Sequence, residues 1–315
     1  MNPLQKEIDS LNIFFKEKET VLVGCSGGAD SKSLVGAFLD SPLNLHIVVG
    51  HIDHGIRPES NRDAEEVTSW SKSLGLLCLV NKLHLLKTDE NTARVVRHQA
   101  LEKMREFVIA EKVALAHNAN DQLETLLMRV CRGHGLTGAC GIRKVSKSVI
   151  RPLLNTPRER IDEYIKYRGW EPIEDSSNKT ETYFRNRVRK QVIPFFLKEN
   201  PNILEVACNT AETLQEELSL VESYEQREWK KTYHSNALNL SLLKDMPKEM
   251  AARLLIRLWK THSHTSEQLS RKHVVQALEV IRSKLGGQTI QLPGLNLKKT
   301  KYWLCVLENK NPQYL

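Results

Sequence analysis

No stretch of this 315-residue chain approaches the ~18–20 consecutive apolar residues that a membrane helix needs, which excludes a helical membrane protein. The opening segment, Met1 to Thr20, is charged and lacks a long apolar run, so no secretory signal is expected. The six cysteines, Cys25, Cys78, Cys131, Cys140, Cys208 and Cys305, include no C-x-x-C pair. That argues against a disulfide framework or zinc ribbon and for a reducing, cytoplasmic setting. Internal repeats and low-complexity tracts are absent as well. What remains is ordinary globular composition, 40% hydrophobic and 27% charged, and a length that suggests two domains.

The charge is uneven. The chain carries 46 basic and 38 acidic residues, a net +8, which favours a polyanionic partner. Between Arg143 and Lys198 there are 14 Lys and Arg against 7 Asp and Glu. Thr182 to Lys198 holds five basic residues and no acid, and Ile281 to Lys301 is also acid-free.

Short β-like runs alternate with helical patterns in the first part. Thr20 to Gly24, Leu45 to Gly50, Leu76 to Val80 and Val113 to His117 read as strands. Ser31 to Leu39, Ser60 to Leu74, Thr92 to Ala110 and Asn120 to Cys131 read as helices. This alternation predicts a parallel twisted sheet covered by helices on both faces, with ligands at the carboxyl ends of the strands. Thr156-Pro157 opens a further helix, with Thr156 as N-cap. A basic helix is expected around Tyr183 to Lys198 and a long polar helix from Ile203 to Lys231. The last residues mix helices (Lys248 to Lys260; Arg271 to Leu285, ending at Gly286-Gly287) with strands (Leu238 to Leu243; Thr289 to Leu292; Leu295 to Lys299; Trp303 to Leu307). The expected division is a catalytic α/β domain over 1–205 and a smaller α+β domain over 206–315.

Between the first strand and the first helix lies Val23-Gly-Cys-Ser-Gly-Gly-Ala-Asp-Ser31. Two glycines let a backbone approach a ligand, and a helix N-terminus attracts phosphate. Asp30 beside a phosphate makes sense if it holds the hydrated Mg²⁺ of a nucleotide. The loop is neither a Walker A loop nor a dinucleotide fingerprint. Physics alone leaves open a tight Gly-Gly turn with Asp30 as a helix cap.

Ser26-Gly-Gly-Ala-Asp-Ser31 resembles the S-G-G-x-D-S signature of the PP-loop ATP pyrophosphatases. Further segments resemble, in order, those of the tRNA(Ile)-lysidine synthetases within that superfamily. They are His51-Ile-Asp-His-Gly-Ile-Arg57, Asn91 to Arg97 with Ala100-Leu101, Ala116 to Thr125, Arg132 to Gly138, Arg151-Pro-Leu-Leu154, Glu174 to Asn178 and Arg185 to Arg189. The resemblance covers about residues 20–197. It implies a PP-loop, Rossmann-like fold in which Ser26, Gly27, Gly28, Ala29, Asp30 and Ser31 bind ATP and Asp30 binds the metal. It places the His51 segment beside adenine and ribose. His117, ending the fourth strand, reads either as lining the same pocket or as a satisfied structural residue.

Asp121 and Glu124 lie three apart on a predicted helix and face one way. Read alone, they suit an ammonium, a metal, a proton, or simply the positive end of their helix. The resemblance implies lysine binding and catalysis, although many family members carry two consecutive Asp where this chain has Asn120-Asp121. Arg94 and Arg97 form either a solvated face or a guanidinium for the α-phosphate, and the resemblance favours Arg97. His51, Asp53 and His54 match no usual zinc spacing. Arg129, Arg132, Gly133, Gly135 and Gly138 read as a surface loop or as a flexible loop closing over a nucleotide. Arg185, Arg187 and Arg189, and with them Lys298, Lys299 and Lys301, read either as solvated charge or as contacts to ATP or tRNA phosphates.

The resemblance implies an ATP-dependent ligase that joins free L-lysine to wobble cytidine 34 of tRNA(Ile) with a CAU anticodon. An adenylated cytidine is the intermediate, and decoding moves from AUG to AUA. The implied partners are tRNA(Ile), L-lysine, ATP and Mg²⁺, without a membrane, and a homodimer is compatible. The alternatives are a PP-loop tRNA thiolation enzyme, an amidating synthetase, and an RNA-binding module that no longer catalyses.

Overall fold

The alternation of Val21, Leu22 and Val23 sends side chains to opposite faces of β1 (Thr20–Gly24), and both faces are buried. In this computed structural model, which describes residues 1–53, 60–83, 90–133, 135–173, 184–263, 265, 267 and 269–307, that strand is central. The chain divides into two units, Met1–Glu216 and Glu217–Leu315.

The first unit begins with α1 (Gln5–Asp9), then β1, α2 (Ala29–Leu39), β2 (His46–Asp53), α3 (Ser60–Ser73), β3 (Leu77–Lys82), α4 (Glu90–Phe107), β4 (Lys112–Ala114) and α5 (Ala119–Cys131). It continues through α6 (Leu136–Ala139), the hairpin β5 (Val145–Ser146) and β6 (Val149–Ile150), and α7 (Arg158–Arg168). The sheet order is β3-β2-β1-β4-β6-β5, parallel except for β5. Val21, Val23 and Val49 pack with Phe38 of α2, Val67 of α3 and Ile161 and Tyr164 of α7. Leu22 and Val48 pack on the other face with Leu101 and Met104 of α4. The expected parallel sheet with helices on both faces is therefore present.

After α7 the basic segment is not one regular helix. It runs as α8 (Phe184–Arg187), a π-helical stretch over Val188–Val192, and α9 (Ile193–Glu199). Val188 and Ile193 bury against Ala119 and Leu123 of α5 and against Leu204 of α10 (Ile203–Thr232). The division between the two units falls inside α10.

The second unit has β7 (Tyr233–His234), β8 (Ala237–Asn239), α11 (Leu240–Asp245), α12 (Lys248–His262), α13 (Arg271–Arg282), β9 (Thr289–Leu292), β10 (Leu295–Lys299) and β11 (Trp303–Leu307). The strands form an antiparallel sheet in the order β7-β8-β11-β10-β9. Leu254, Leu255 and Leu258 of α12 and Ala277 and Ile281 of α13 pack against Leu297 and Leu304 of this sheet.

Two further sequence expectations are corrected here. Leu238 to Leu243 is not one strand. Asn239 accepts from the N–H groups of Ser241 and Leu242 at 3.0 and 3.2 Å and starts α11. Thr156 does not cap α7: its hydroxyl donates to buried Glu7 at 3.0 Å, and Asn120 Oδ1 accepts the Arg158 N–H at 3.0 Å.

Candidate active site

β2 and β3 lie on one side of β1, and β4 lies on the other, so the strand order reverses between β1 and β4. A crevice opens at such a reversal, outside the carboxyl ends of the strands. Two turns meet there: Cys25–Gly28, leading into α2, and Leu115–Asn118, leading into α5.

The first turn is braced from several sides. The Cys25 N–H donates to Gly50 O at 2.9 Å, and buried His51 holds Cys25 O through Nδ1 at 2.9 Å. Ser31 Oγ accepts the Ser26 N–H at 3.2 Å and donates to Gly28 O at 3.0 Å. Gly27 has φ +87°, and a Cβ there would lie 2.4 Å from Ile173 Cδ1. Gly28 is the N-cap of α2, so the loop delivers the unpaired first-turn N–H groups of that helix to the crevice. The exposed Ser26 adds a hydroxyl. Burial holds the Cys25 thiol up and protonated, opposed by its hydrogen bond to Ser31.

Asp30 points from the first turn of α2 to two donors. Asn118 Nδ2 reaches its Oδ1 and Arg158 Nη1 its Oδ2, both at 2.7 Å. Burial raises its carboxyl pKa, and Arg158 and then Asn118 oppose the rise. Asn118 also caps α5: its Oδ1 accepts the Asp121 N–H at 3.1 Å while Asp121 Oδ2 accepts the Asn118 N–H at 3.1 Å. One amide thus joins the glycine loop to the acidic helix.

Asp121 and Glu124 face the basic segment. Arg185 donates through Nη2 to Asp121 Oδ1 at 2.7 Å and through Nε to Glu124 Oε2 at 2.6 Å. Arg189 donates to Glu124 through Nε at 2.5 Å and Nη2 at 3.1 Å, with Asp121 Oδ1 at 3.5 Å. Glu124 is fully buried, whereas Arg189 keeps 45% of its side-chain surface exposed. Burial raises the Asp121 carboxyl pKa, Arg185 opposes the rise and Glu124 adds to it. The π-helical stretch has a geometric consequence: it changes the angular spacing along the segment that carries Arg185 and Arg189.

His117 sits beside this cluster, with Arg151 Nε 3.2 Å from its Nδ1. Burial drives its pKa well below the usual value, helped by Arg151, Arg185, Arg97 and Arg94 in turn. His98 on α4 falls to about 4 through burial and then Arg97 and Arg94. Arg97 and Arg94 on α4 thus bear on both imidazoles.

The structure brings Ser26 through Ser31, His51, His117, Asp121, Glu124, Arg185 and Arg189 together. Arg132 stands apart from the carboxylates, with its guanidinium 5.9 Å from the centre of the Phe184 ring. In the glycine-rich segment, Arg129 Nη1 holds Gly138 O and Gly141 O at 2.7 and 2.6 Å. In the second unit Lys298 and Lys301 are exposed. Lys299, expected on the same basic surface, is buried instead. Its ammonium donates to Val280 O, Ser283 O and Ser283 Oγ at 2.7–2.8 Å and closes the C-terminus of α13. His54 and Glu174 to Asn178 fall outside the described residues.

Sequence reasoning singled out neither Asn118 nor Arg158. The first carries a readable signal, an Asn three residues before an Asp at a helix start. The second meets Asp30 from 128 residues away, which no local pattern announces.

A PP-loop domain model matches residues 2–196. The chain belongs to the PP-loop family. Within that family it is 33% identical to a tRNA(Ile)-lysidine synthase of Clostridium perfringens over 241 residues, which cover 72% of this chain and 51% of that one. It is 31% identical to the tRNA(Ile)-lysidine synthase of Solibacter usitatus over 304 residues, covering 92% of this chain and 68% of that one. The chain thus spans about half to two-thirds of the length of these curated relatives. Among solved structures, the U34-tRNA thiolase of Methanococcus maripaludis superposes with a TM-score of 0.58 at 16% identity. It covers 68% of this chain and 79% of that one, a likeness of fold. The resemblance to lysidine synthetases is borne out.

Proposed function

We propose that this PP-loop protein ligates L-lysine to the wobble cytidine of tRNA(Ile) with a CAU anticodon, consuming ATP and forming AMP and pyrophosphate. The observation that carries this reading is the convergence at one strand reversal of an anion-binding turn and a carboxylate pair ringed by guanidinium groups. The similarity to lysidine synthases over most of the chain supports the same reading.

The N-terminus of α2, with Ser26, Gly27, Gly28, Ala29 and Ser31, receives the phosphates of ATP, and His51 holds the turn in shape. The residues present fit a nucleotide-borne Mg²⁺. Among the described residues each Asp30 oxygen has one donor, and a carboxylate offers about four lone-pair sites, which leaves room for a further partner on each oxygen. Among the described residues no group of three His, Cys, Asp or Glu side chains forms a metal cage, and Mg²⁺ characteristically binds through one or two carboxylates plus phosphates and water. When bound, the ion would neutralise charge on the leaving pyrophosphate.

The cytosine 2-oxygen attacks the α-phosphorus and pyrophosphate leaves. Arg97 stabilises the charge that develops there. The lysine ε-amine then attacks the activated ring carbon and AMP leaves. Asp121 and Glu124 bind the lysine ammonium and take its proton. In the structure two guanidiniums already neutralise these acids. An ammonium finds its place once Arg185 or Arg189 turns toward incoming phosphate, which puts ATP and tRNA ahead of lysine. Arg132 and Lys298 supply tRNA backbone contacts, and the second unit serves as a tRNA-binding platform.

The test is to incubate the protein with ATP, Mg²⁺, lysine and a tRNA(Ile) transcript and to analyse its nucleosides by mass spectrometry. The expected result is lysidine at position 34 with equimolar AMP and pyrophosphate. ADP as the only product, or unmodified cytidine, overturns the reading.

A further inference from the structure

Arg151 follows β6 and His117 follows β4, neighbouring strands whose carboxyl ends border the crevice. Arg151 is buried, and among the described residues the hydrogen-bond partners of its guanidinium are Arg143 O at 2.8 Å and His117 Nδ1 at 3.2 Å. A guanidinium has donors and no acceptor. Nδ1 must therefore present its lone pair to Arg151, and a neutral ring must carry its proton on Nε2. We infer that Arg151 is a positioning residue that fixes His117 as the neutral Nε2–H tautomer, so that His117 meets the nucleotide as a hydrogen-bond donor to a phosphoryl oxygen and not as a base.

The surroundings act in the same direction. Four cations bear on His117: Arg151 beyond β6, Arg185 of α8, and Arg97 and Arg94 of α4. They disfavour an imidazolium and attract an anion to the ring's other edge. With Nδ1 engaged by a cation and Nε2 already protonated, no lone pair is left to receive the amine's proton. That work falls to Asp121 and Glu124. The phosphoryl contact rests on the proposed function, whereas the tautomer rests on the Arg151 contact alone.

The tautomer is read from ¹⁵N–¹H correlation spectra of the full-length protein labelled in histidine, with His117 assigned by the loss of its signals in H117Q. Protonated Nε2 and unprotonated Nδ1 are expected at pH 7, and Arg151→Met should let the second tautomer appear. An imidazolium or an Nδ1–H ring in the unaltered protein overturns the inference.

The second reading is pyrophosphate release by two amide variants. Gln can place an N–H where Nε2 stood, and Asn keeps an acceptor for Arg151 without that donor. H117Q should therefore exceed H117N by at least tenfold. Equal rates, or a faster H117N, would mean that the ring serves only to satisfy Arg151. If the unaltered protein releases no pyrophosphate, the proposed function fails while the spectra still decide the tautomer.

Discussion

Asn118 shows how one small side chain can hold two machines together. Its carbonyl oxygen caps α5 and its amide nitrogen holds Asp30, so the cap and the contact can be separated. Asn118→Ser keeps a capping oxygen but cannot reach Asp30. It should stay within about 0.5 kcal/mol of the unaltered protein in urea unfolding, while pyrophosphate release drops at least tenfold. Full activity in that variant would show that Asp30 needs no such brace. Arg158 completes the same arrangement, and its N–H is held by Asn120. The Asn120 amide thus seats the arginine that pairs with Asp30. The histidines give a residue-scale prediction with a defined sign. His98 has a folded pKa of about 4, against ~6.5 in an unfolded chain. Below ~6.5 the unfolded state takes up the proton first, so the stability of the neutral ring is present above that pH and is lost as pH falls toward 4. His117 is shifted in the same direction. The melting temperature should fall between pH 7 and pH 5, and His98→Gln should make the fall shallower. Parallel profiles would mean that His98 titrates normally.

At the scale of elements, the legible parts were those whose signal is local. The alternation of Val21, Leu22 and Val23 announces a strand buried on two faces, and β9, β10 and β11 lie where their apolar alternation puts them. The glycine loop is legible through its resemblance to the S-G-G-x-D-S signature, since a glycine pair between a strand and a helix alone also fits a plain tight turn. Its backbone states why Gly27 is there: φ is +87° and Ile173 fills the space a Cβ would need. Gly27→Ala should cost about 2 kcal/mol in chemical unfolding and weaken ATP binding, because the loop can relieve the clash only by leaving Ile173. An alanine variant of unchanged stability and nucleotide affinity would show that the loop tolerates another shape. What could not be read was pairing over distance. The arginines of the basic segment looked like solvated charge or phosphate contacts, yet Arg185 meets Glu124 across 61 residues and Arg189 meets it across 65. Nor does composition foretell a π-helical stretch, since it arises where α5 packs on Val188 and Ile193. The Leu238 to Leu243 run misled for a related reason: an apolar run is ambiguous until a capping Asn is recognised.

For the molecule as a whole, the net charge of +8 acquires meaning only when each cation is sorted by its surroundings. A tRNA releases counterions when lysine and arginine neutralise its phosphates, so affinity should fall steeply with salt. Arg185 and Arg189 face carboxylates and add little to that long-range attraction while they remain paired. The adjacent lysines of β10 separate the two uses of charge within one dipeptide. Lys298 is exposed, whereas Lys299 is buried with three oxygen acceptors at the end of α13. Burial lowers the Lys299 pKa, helped by Lys244, yet the three acceptors keep its proton in place. Lys299→Ala removes the donor and leaves helix-end carbonyls unmet, at a cost of about 2 kcal/mol in unfolding free energy. Lys298→Ala should leave that free energy within about 0.5 kcal/mol. It should instead reduce the slope of log affinity for tRNA against log salt by roughly 1. Filter binding over a salt series, beside urea unfolding of the same two variants, tests both. If Lys299→Ala lowered the salt slope with no loss of stability, its charge would have to reach RNA from inside the fold. The hydrogen bonds at the end of α13 would then be the wrong account of why a lysine stands there.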